Sequence, residues 1–163
     1  MTPEQDRDYR DYVVAHTRRL CRFAYLCCAD WRRAEDVVQT ALVRLYASWN
    51  RARRTTPDVY VRRLIVAALI GERGFLRLRR EPIPDVPPEP GDEPVLISAL
   101  LRLPKRQRAA VVLRFWEGLP AERAASVLGC STGAAENLAE RGVAALRGLL
   151  ADPSLVIAEG ATS

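Results

Sequence analysis

Polar and apolar positions along the chain recur at intervals of three and four, the spacing of one helical face, and no segment sustains the period of two that a half-buried strand needs. In "DYRDYVVAHTRRLCRFAYLCC", Tyr12, Val13, His16, Leu20, Phe23, Ala24 and Cys27 fall on one stripe. "WRRAEDVVQTALVRLYASW" repeats the rhythm through Ala34, Val37, Val38, Ala41, Leu42, Leu45 and Trp49, and Asp30 stands where a side-chain oxygen can cap the helix. "PDVYVRRLIVAALIGERGFLRLRR" opens on Pro57 and Asp58, residue types suited to a first turn, and closes in a basic tail.

Four shorter helical stretches follow: "EPVLISALLRL", "PKRQRAAVVLRFWEG", "PAERAASVL" and "STGAAENLAERGVAALRGLL". Pro104 and Pro120 suit first helical positions, and Gly118 and Gly129 suit the ends of the preceding helices. Between the two sets lies "REPIPDVPPEPGDEP", which holds six of the chain's eleven prolines. Prolines remove backbone donors and favour extended conformations, so this stretch reads as a semi-rigid linker. The expected fold is all-α: two small helical domains over 1–80 and 95–150, an acidic Pro-rich linker over 81–94 and a loose tail over 151–163.

Charge sharpens this division. The net +5 is unevenly placed: residues 1–80 hold 17 Lys/Arg against nine Asp/Glu, and residues 81–98 hold five acids and no base. Lys105 is the only lysine, and arginine forks onto phosphates or carboxylates. The positive half therefore suits nucleic acid or an acidic protein surface, with a solvated basic face as the plain alternative.

Cysteine chemistry and catalysis gain little support. Cys21, Cys27, Cys28 and Cys130, with the single His16, form neither a disulfide framework nor a paired zinc pattern, and read as buried thiols. A cysteine-based redox-responsive regulator stays as an alternative. It would need Cys130 or Cys21 as second partner, because the adjacent Cys27 and Cys28 pair poorly. No catalytic set, metal or cofactor is expected. Met1 to Asp11 is polar, and no apolar run approaches the roughly 18 residues that cross a bilayer, so no membrane contact and a cytoplasmic location are expected.

The most informative stretch is "LPAERAASVLGCSTGAAENLAERGV". A short helix, a turn at Gly129 and a second helix capped by Ser131 form a helix-turn-helix, with Ala125, Val127 and Leu128 packed against the second helix. With its neighbourhood, "LPKRQRAAVVLRFWEGLPAERAASVLGCSTG", it resembles the C-terminal DNA-binding region of bacterial sigma factors of the extracytoplasmic-function (ECF) type. "RRAEDVVQTALVRLYASW" resembles that family's helix for the clamp helices of core RNA polymerase, and "FAYLCCADWRRAEDVVQ" with "YVRRLIVAALIG" is most similar to a small-sigma subgroup common in actinobacteria.

The resemblance implies a non-enzymatic specificity subunit with two partners, RNA polymerase core and promoter DNA, and leaves room for an anti-sigma or other regulatory protein. The polymerase-binding residues it implies are Glu35, Asp36, Val38, Gln39, Leu42 and Leu45, with Glu35 and Asp36 facing polymerase arginines and the apolar members packing inward. For DNA it implies Ser131, Thr132, Asn137 and Arg141 on the second helix, Asn137 suited to adenine and Arg141 to guanine or phosphate. Arg62, Arg63, Arg73 and Arg77 would follow a phosphate backbone.

Several positions depart from the family pattern. Where a threonine, a lysine and an arginine are usual on the DNA-reading helix, this chain has Ala134, Glu136 and Leu138. Ala67 or Ala68 stands for an asparagine, Glu72 interrupts a basic run, and Thr40 replaces an acid. Residues 121–150 balance three arginines against three glutamates. The sequence thus points to a sigma-like regulator with weak or altered promoter recognition. The alternative is a protein-interaction module whose Ala134, Ala135, Leu138 and Ala139 meet a partner helix, with burial inside the domain the plainer reading for Ala135 and Leu138.

Overall fold

Thr2 opens the first helix, α1 (Pro3–Cys28), with a reciprocal cap: its hydroxyl accepts the Gln5 N–H at 3.2 Å, and Gln5 Oε1 accepts the Thr2 N–H at 2.9 Å. The structure is a computed structural model that describes residues 1–71 and 94–151; the basic tail after Gly71, the Pro-rich linker and the C-terminal tail lie outside the described residues. α1 ends at Ala29, whose left-handed backbone (φ 58) returns its N–H to the Tyr25 carbonyl at 2.6 Å. Asp30 then caps α2 (Trp31–Ala47) by accepting the Arg33 N–H at 3.1 Å, so a two-residue turn folds α2 back along α1.

The sequence places Trp49 at the end of α2, whereas the helix breaks at Ser48 and Trp49 begins a single turn, α3 (Trp49–Ala52). The break turns the indole into the core, 4% exposed, where it meets Tyr9 edge-on at 5.5 Å and Tyr12 at 5.6 Å. That aromatic contact offsets the interrupted ladder. α4 (Pro57–Val66) starts on Pro57 as expected and continues into a wide π-type turn, Ala67–Gly71.

α5 (Pro94–Leu101), α6 (Lys105–Val111), α7 (Ala121–Leu128) and α8 (Thr132–Leu150) form the second unit, and the described residues contain no strand. The all-α class and its two helical units follow the sequence pattern. Pro104 and Pro120 fall one place earlier than expected, at the cap positions. Their extended ψ of 142° and 158° aims each carbonyl at the first helical N–H groups, Pro104 O taking Arg108 N at 2.9 Å and Pro120 O taking Ala124 N at 3.0 Å. α6 runs on through a second wide turn, Val112–Trp116, closed by the Glu117 N–H on the Val112 carbonyl at 3.0 Å.

One continuous apolar cluster runs through both units. Leu20, Phe23, Val37, Val38, Leu45, Val61 and Ile65 from the first join Leu100, Val111, Val112, Leu113 and Val127 from the second. α4 lies against α7, and α1 against α5 and α6. Each such large side chain contributes about 1.5–3 kcal/mol by leaving water.

Arg108 crosses the seam. Buried to 8% exposure, its guanidinium donates to the carbonyls of Leu100 (2.7 Å), Leu101 (3.0 Å) and Leu103 (3.0 Å), and of Cys27 (2.7 Å) at the end of α1.

α6 and α8 approach most closely at Gly142, where an added Cβ would collide with Val111 Cγ2 and come within 3.2 Å of the Gln107 carbonyl oxygen. Gly142→Ala gains about 1 kcal/mol of helix propensity but forces apart a packed seam. We expect a net loss of about 1–3 kcal/mol in urea unfolding.

Candidate nucleic-acid interface

The helix-turn-helix is built by its turn. α7 ends at Gly129 with φ 69 and ψ 38, a left-handed conformation that favours glycine. Ser131 starts α8 by accepting the Ala134 N–H at 3.1 Å. Ala124, Ala125, Val127 and Leu128 of α7 are buried, and Ala135, Ala139, Gly142 and Leu146 line the inner face of α8 at helical spacing. This leaves Ala134, Glu136, Asn137, Glu140, Arg141, Ala144 and Ala145 exposed on the outer face.

The predicted DNA-facing residues divide unequally. Ser131, Asn137 and Arg141 stand exposed on or at the start of α8, and Thr132 is half-buried in its first turn. Leu138, expected on the reading face, is half-buried against the core and offers that face nothing. Glu136 and Glu140 lie one turn apart on the exposed face, and the three arginines of residues 121–150 only balance the three glutamates there.

The first unit contributes less basic surface than its sequence suggests. Arg63 is exposed, but Arg62 is turned inward with its side chain 5% exposed, and its Nη2 donates to Glu117 Oε2 at 3.0 Å. Consecutive residues on a helix point about 100° apart, so both cannot face one phosphate chain. Expected as a phosphate contact, Arg62 is instead a partner of Glu117 in this arrangement. Arg73, Arg77 and Glu72 lie outside the described residues.

On the expected polymerase side, Val38 and Leu45 are fully buried and Leu42 is 7% exposed, with the Tyr9 hydroxyl donating to the Leu42 carbonyl at 2.7 Å. These three hold α2 against α1. Gln39 is exposed, and Glu35 and Asp36 are half-buried. Partial burial, and secondarily the neighbouring Asp36, hold the Glu35 carboxyl above the usual carboxylate range. The outer face of α2 also shows Val43 (69% exposed) and Tyr46 (42% exposed), which the sequence pattern signals only by leaving them between the inward positions.

Residues absent from the predicted set carry much of the electrostatics. Glu117, 5% exposed, takes Arg19 Nε at 3.0 Å as well as Arg62. Asp58 backs Arg62: its carbonyl accepts Arg62 Nη1 at 3.3 Å, and its Oδ1 accepts the Tyr12 hydroxyl at 2.7 Å. One signal was present in the sequence, a glutamate in the largely apolar run "VVLRFWEGL", whose one other charge is Arg114.

The thiols are placed for structure. Cys27 is buried, and burial drives its pKa far above the ordinary thiol value; burial, with Glu35 adding, pushes Cys21 up to about 11. Cys28 is raised chiefly by burial while its Sγ donates to the Asp30 carbonyl at 3.5 Å. Since the thiolate is the reactive form, these positions disfavour oxidant sensing.

Such protonated thiols also set a pH dependence. The unfolded chain releases their protons near the ordinary thiol value of 9.0 and the folded chain only higher, so stability falls as pH rises from about 9 towards 11. The urea midpoint should drop across that window, and Cys21→Ala should flatten the drop. At pH 8, a thiol reagent should modify Cys27 only after unfolding.

The described residues thus form an all-helical protein with a helix-turn-helix joined to a second helical unit, and none of their helices is long and apolar enough to cross a membrane. Family models described as Sigma-70 region 2 and Sigma-70, region 4 match residues 12–77 and 95–146. The RNA polymerase sigma-E factor of Streptomyces coelicolor is 31% identical over 149 residues, covering 86% of this chain and 84% of that protein. The sigma-E factor of Streptomyces avermitilis is 32% identical over 149 residues, covering 86% of this chain and 83% of its own. The chain belongs to the sigma-70 family of RNA polymerase sigma factors, in the extracytoplasmic-function branch, a family of transcription-initiation regulators and not of enzymes. In a solved co-crystal structure, the sigma factor RpoE of Bartonella quintana is bound to the anti-sigma factor NepR. It shares the fold at a TM-score of 0.70, with 22% identity, over 88% of this chain and 96% of that one.

Proposed function

We propose that this sigma factor docks on RNA polymerase core through the outer face of α2 and recognises its promoter weakly or in an altered way. Glu35, Asp36 and Gln39 supply the polar part of the docking face, with Val43 and Tyr46 beside them as apolar contacts. The buried Val38, Leu42 and Leu45 hold that face in position. Cytoplasmic location follows from the polymerase partner.

The observation that carries the reading is the exposed face of α8, where Glu136 and Glu140 occupy a surface that would meet phosphates. Each phosphate left unbound removes about 0.9 from the slope of log affinity against log salt. What remains for base contact is Asn137 and Arg141, one turn apart, with Ser131 at the helix start and Arg63 on the other unit for backbone phosphate.

A second reading also rests on α8. Of the residues the sequence offered to a partner helix, Ala135 and Ala139 are buried in the core and Leu138 is half-buried, which leaves Ala134; with Gly133, Ala144, Ala145 and Gly148 it keeps much of the exposed surface shallow, and a partner helix can pack closely against small residues. An anti-sigma protein, as named for the similar Bartonella structure, is the partner class for this reading.

Transcription reconstituted from purified core and a genomic promoter library decides between the two. Specific initiation that depends on the added chain supports the sigma reading. Core binding with no initiation at any promoter favours the protein-interaction reading. Within the first, the double variant Glu136→Lys, Glu140→Lys should bind duplex DNA more tightly, with a salt slope steeper by about 0.9 for each additional phosphate neutralised. Fluorescence anisotropy across a salt series checks this, and an unchanged slope would show that α8 does not approach phosphate.

A further inference from the structure

A buried ion cluster spans the seam between the two units. Glu117 Oε2 accepts Arg19 Nε and Arg62 Nη2, each at 3.0 Å, and Arg19 Nη2 donates to the Glu117 carbonyl at 3.3 Å. The Arg62 and Glu117 side chains are each 5% exposed, while Arg19 is 61% exposed. Arg62 is held from behind by Asp58, and its guanidinium carbon lies 5.9 Å from the centre of the Phe23 ring. Its Nε is buried with no partner.

The energetics separate this join from the apolar seam around it. Taking a guanidinium and a carboxylate out of water is costly, and their attraction only roughly repays that, so such a pair adds little net cohesion. Parting the units would rehydrate both charges, which makes the cluster a place where the seam can open. It also depends on both partners: with one removed, the other is left charged in the core.

The chemistry of Glu117 matters as well. A carboxylate presents anionic oxygens to a guanidinium as a phosphate does, and arginine binds both through the same N–H donors. We propose that Glu117 acts as an internal competitor of nucleic-acid phosphate: in the closed molecule it occupies Arg62, and α4 gains that arginine for DNA only when the two units part. The join itself is independent of the DNA reading above, and the competition rests on it.

The test compares full-length wild type, Glu117→Gln and Glu122→Gln. Glu122 is exposed on α7 and controls for the loss of one negative charge. Small-angle scattering reads separation of the units, circular dichroism confirms helicity, and anisotropy with a random-sequence duplex at low salt reads affinity. Glu117→Gln should expand at unchanged helicity and bind at least about fivefold more tightly than Glu122→Gln, the lower end of ordinary coupling between sites. A variant that stays closed, or expands without gaining affinity while wild type binds, overturns the competition. If wild type binds no duplex at any salt, the DNA reading fails first.

Should Glu117→Gln lose its helicity, the wild-type chain gives the second measurement. Saturating duplex should speed amide hydrogen exchange across residues 112–119 as the seam opens, and unchanged or slower exchange there overturns the proposal.

Discussion

A helix end leaves its last carbonyl oxygens without partners, and where two helix ends are buried together the fold must supply donors from elsewhere. Arg108 is that supply. It serves the carbonyls of Leu100, Leu101 and Leu103 at the end of α5 and that of Cys27 at the end of α1, so one guanidinium satisfies termini from both units. A buried cation is tolerable here because its donors all meet carbonyl oxygens, of which that of Leu100 also accepts the Leu103 N–H at 3.1 Å. The packing of α1 against α5 and α6, and with it the shared core, depends on this arrangement.

The wide turn after α6 has the second largest effect. By running Val112–Trp116 as a π-type turn, the chain carries Glu117 into the seam beside Arg62 while Phe115 stands 59% exposed. A wide turn rotates the chain less per residue than an α-helix does, and that difference decides which side is charged inside and which is aromatic outside. The same seam sets the geometry of the candidate interface, since α7, the first helix of the helix-turn-helix, rests on α4. The helix-turn-helix and the seam between the units therefore share contacts.

Much of this was legible in the chain. The cap at Asp30, the cap at Ser131 and the left-handed Gly129 follow from local rules, because each is settled within four residues by side-chain reach or backbone sterics. The inward stripe of α2 and the inner face of α8 follow from helical spacing. The family pattern assigns Leu138 to the reading face while the plainer reading of the sequence buries it with Ala135, and the structure follows the latter; Ala139, offered to a partner helix, is buried as well. Trp49 misled because its place is fixed by Tyr9 and Tyr12, about forty residues earlier in the chain.

The sequence by itself determined the main helices, the caps at Asp30 and Ser131, the helix-turn-helix and the acids on its outer face, since these depend on local propensity and on a period that needs no partner. Only the tertiary structure decided the fate of the arginines. Arg62 and Arg63 are the same residue type on the same helix, and one is buried against Glu117, 55 residues away, while the other is exposed. Arg108 reads as one more cation of a basic run until the fold brings four carbonyls to it. A charge takes its role from whatever opposite charge or carbonyl dipole reaches it, and for Arg62 that partner, Glu117, and for Arg108 one of its four, Cys27, come from distant chain.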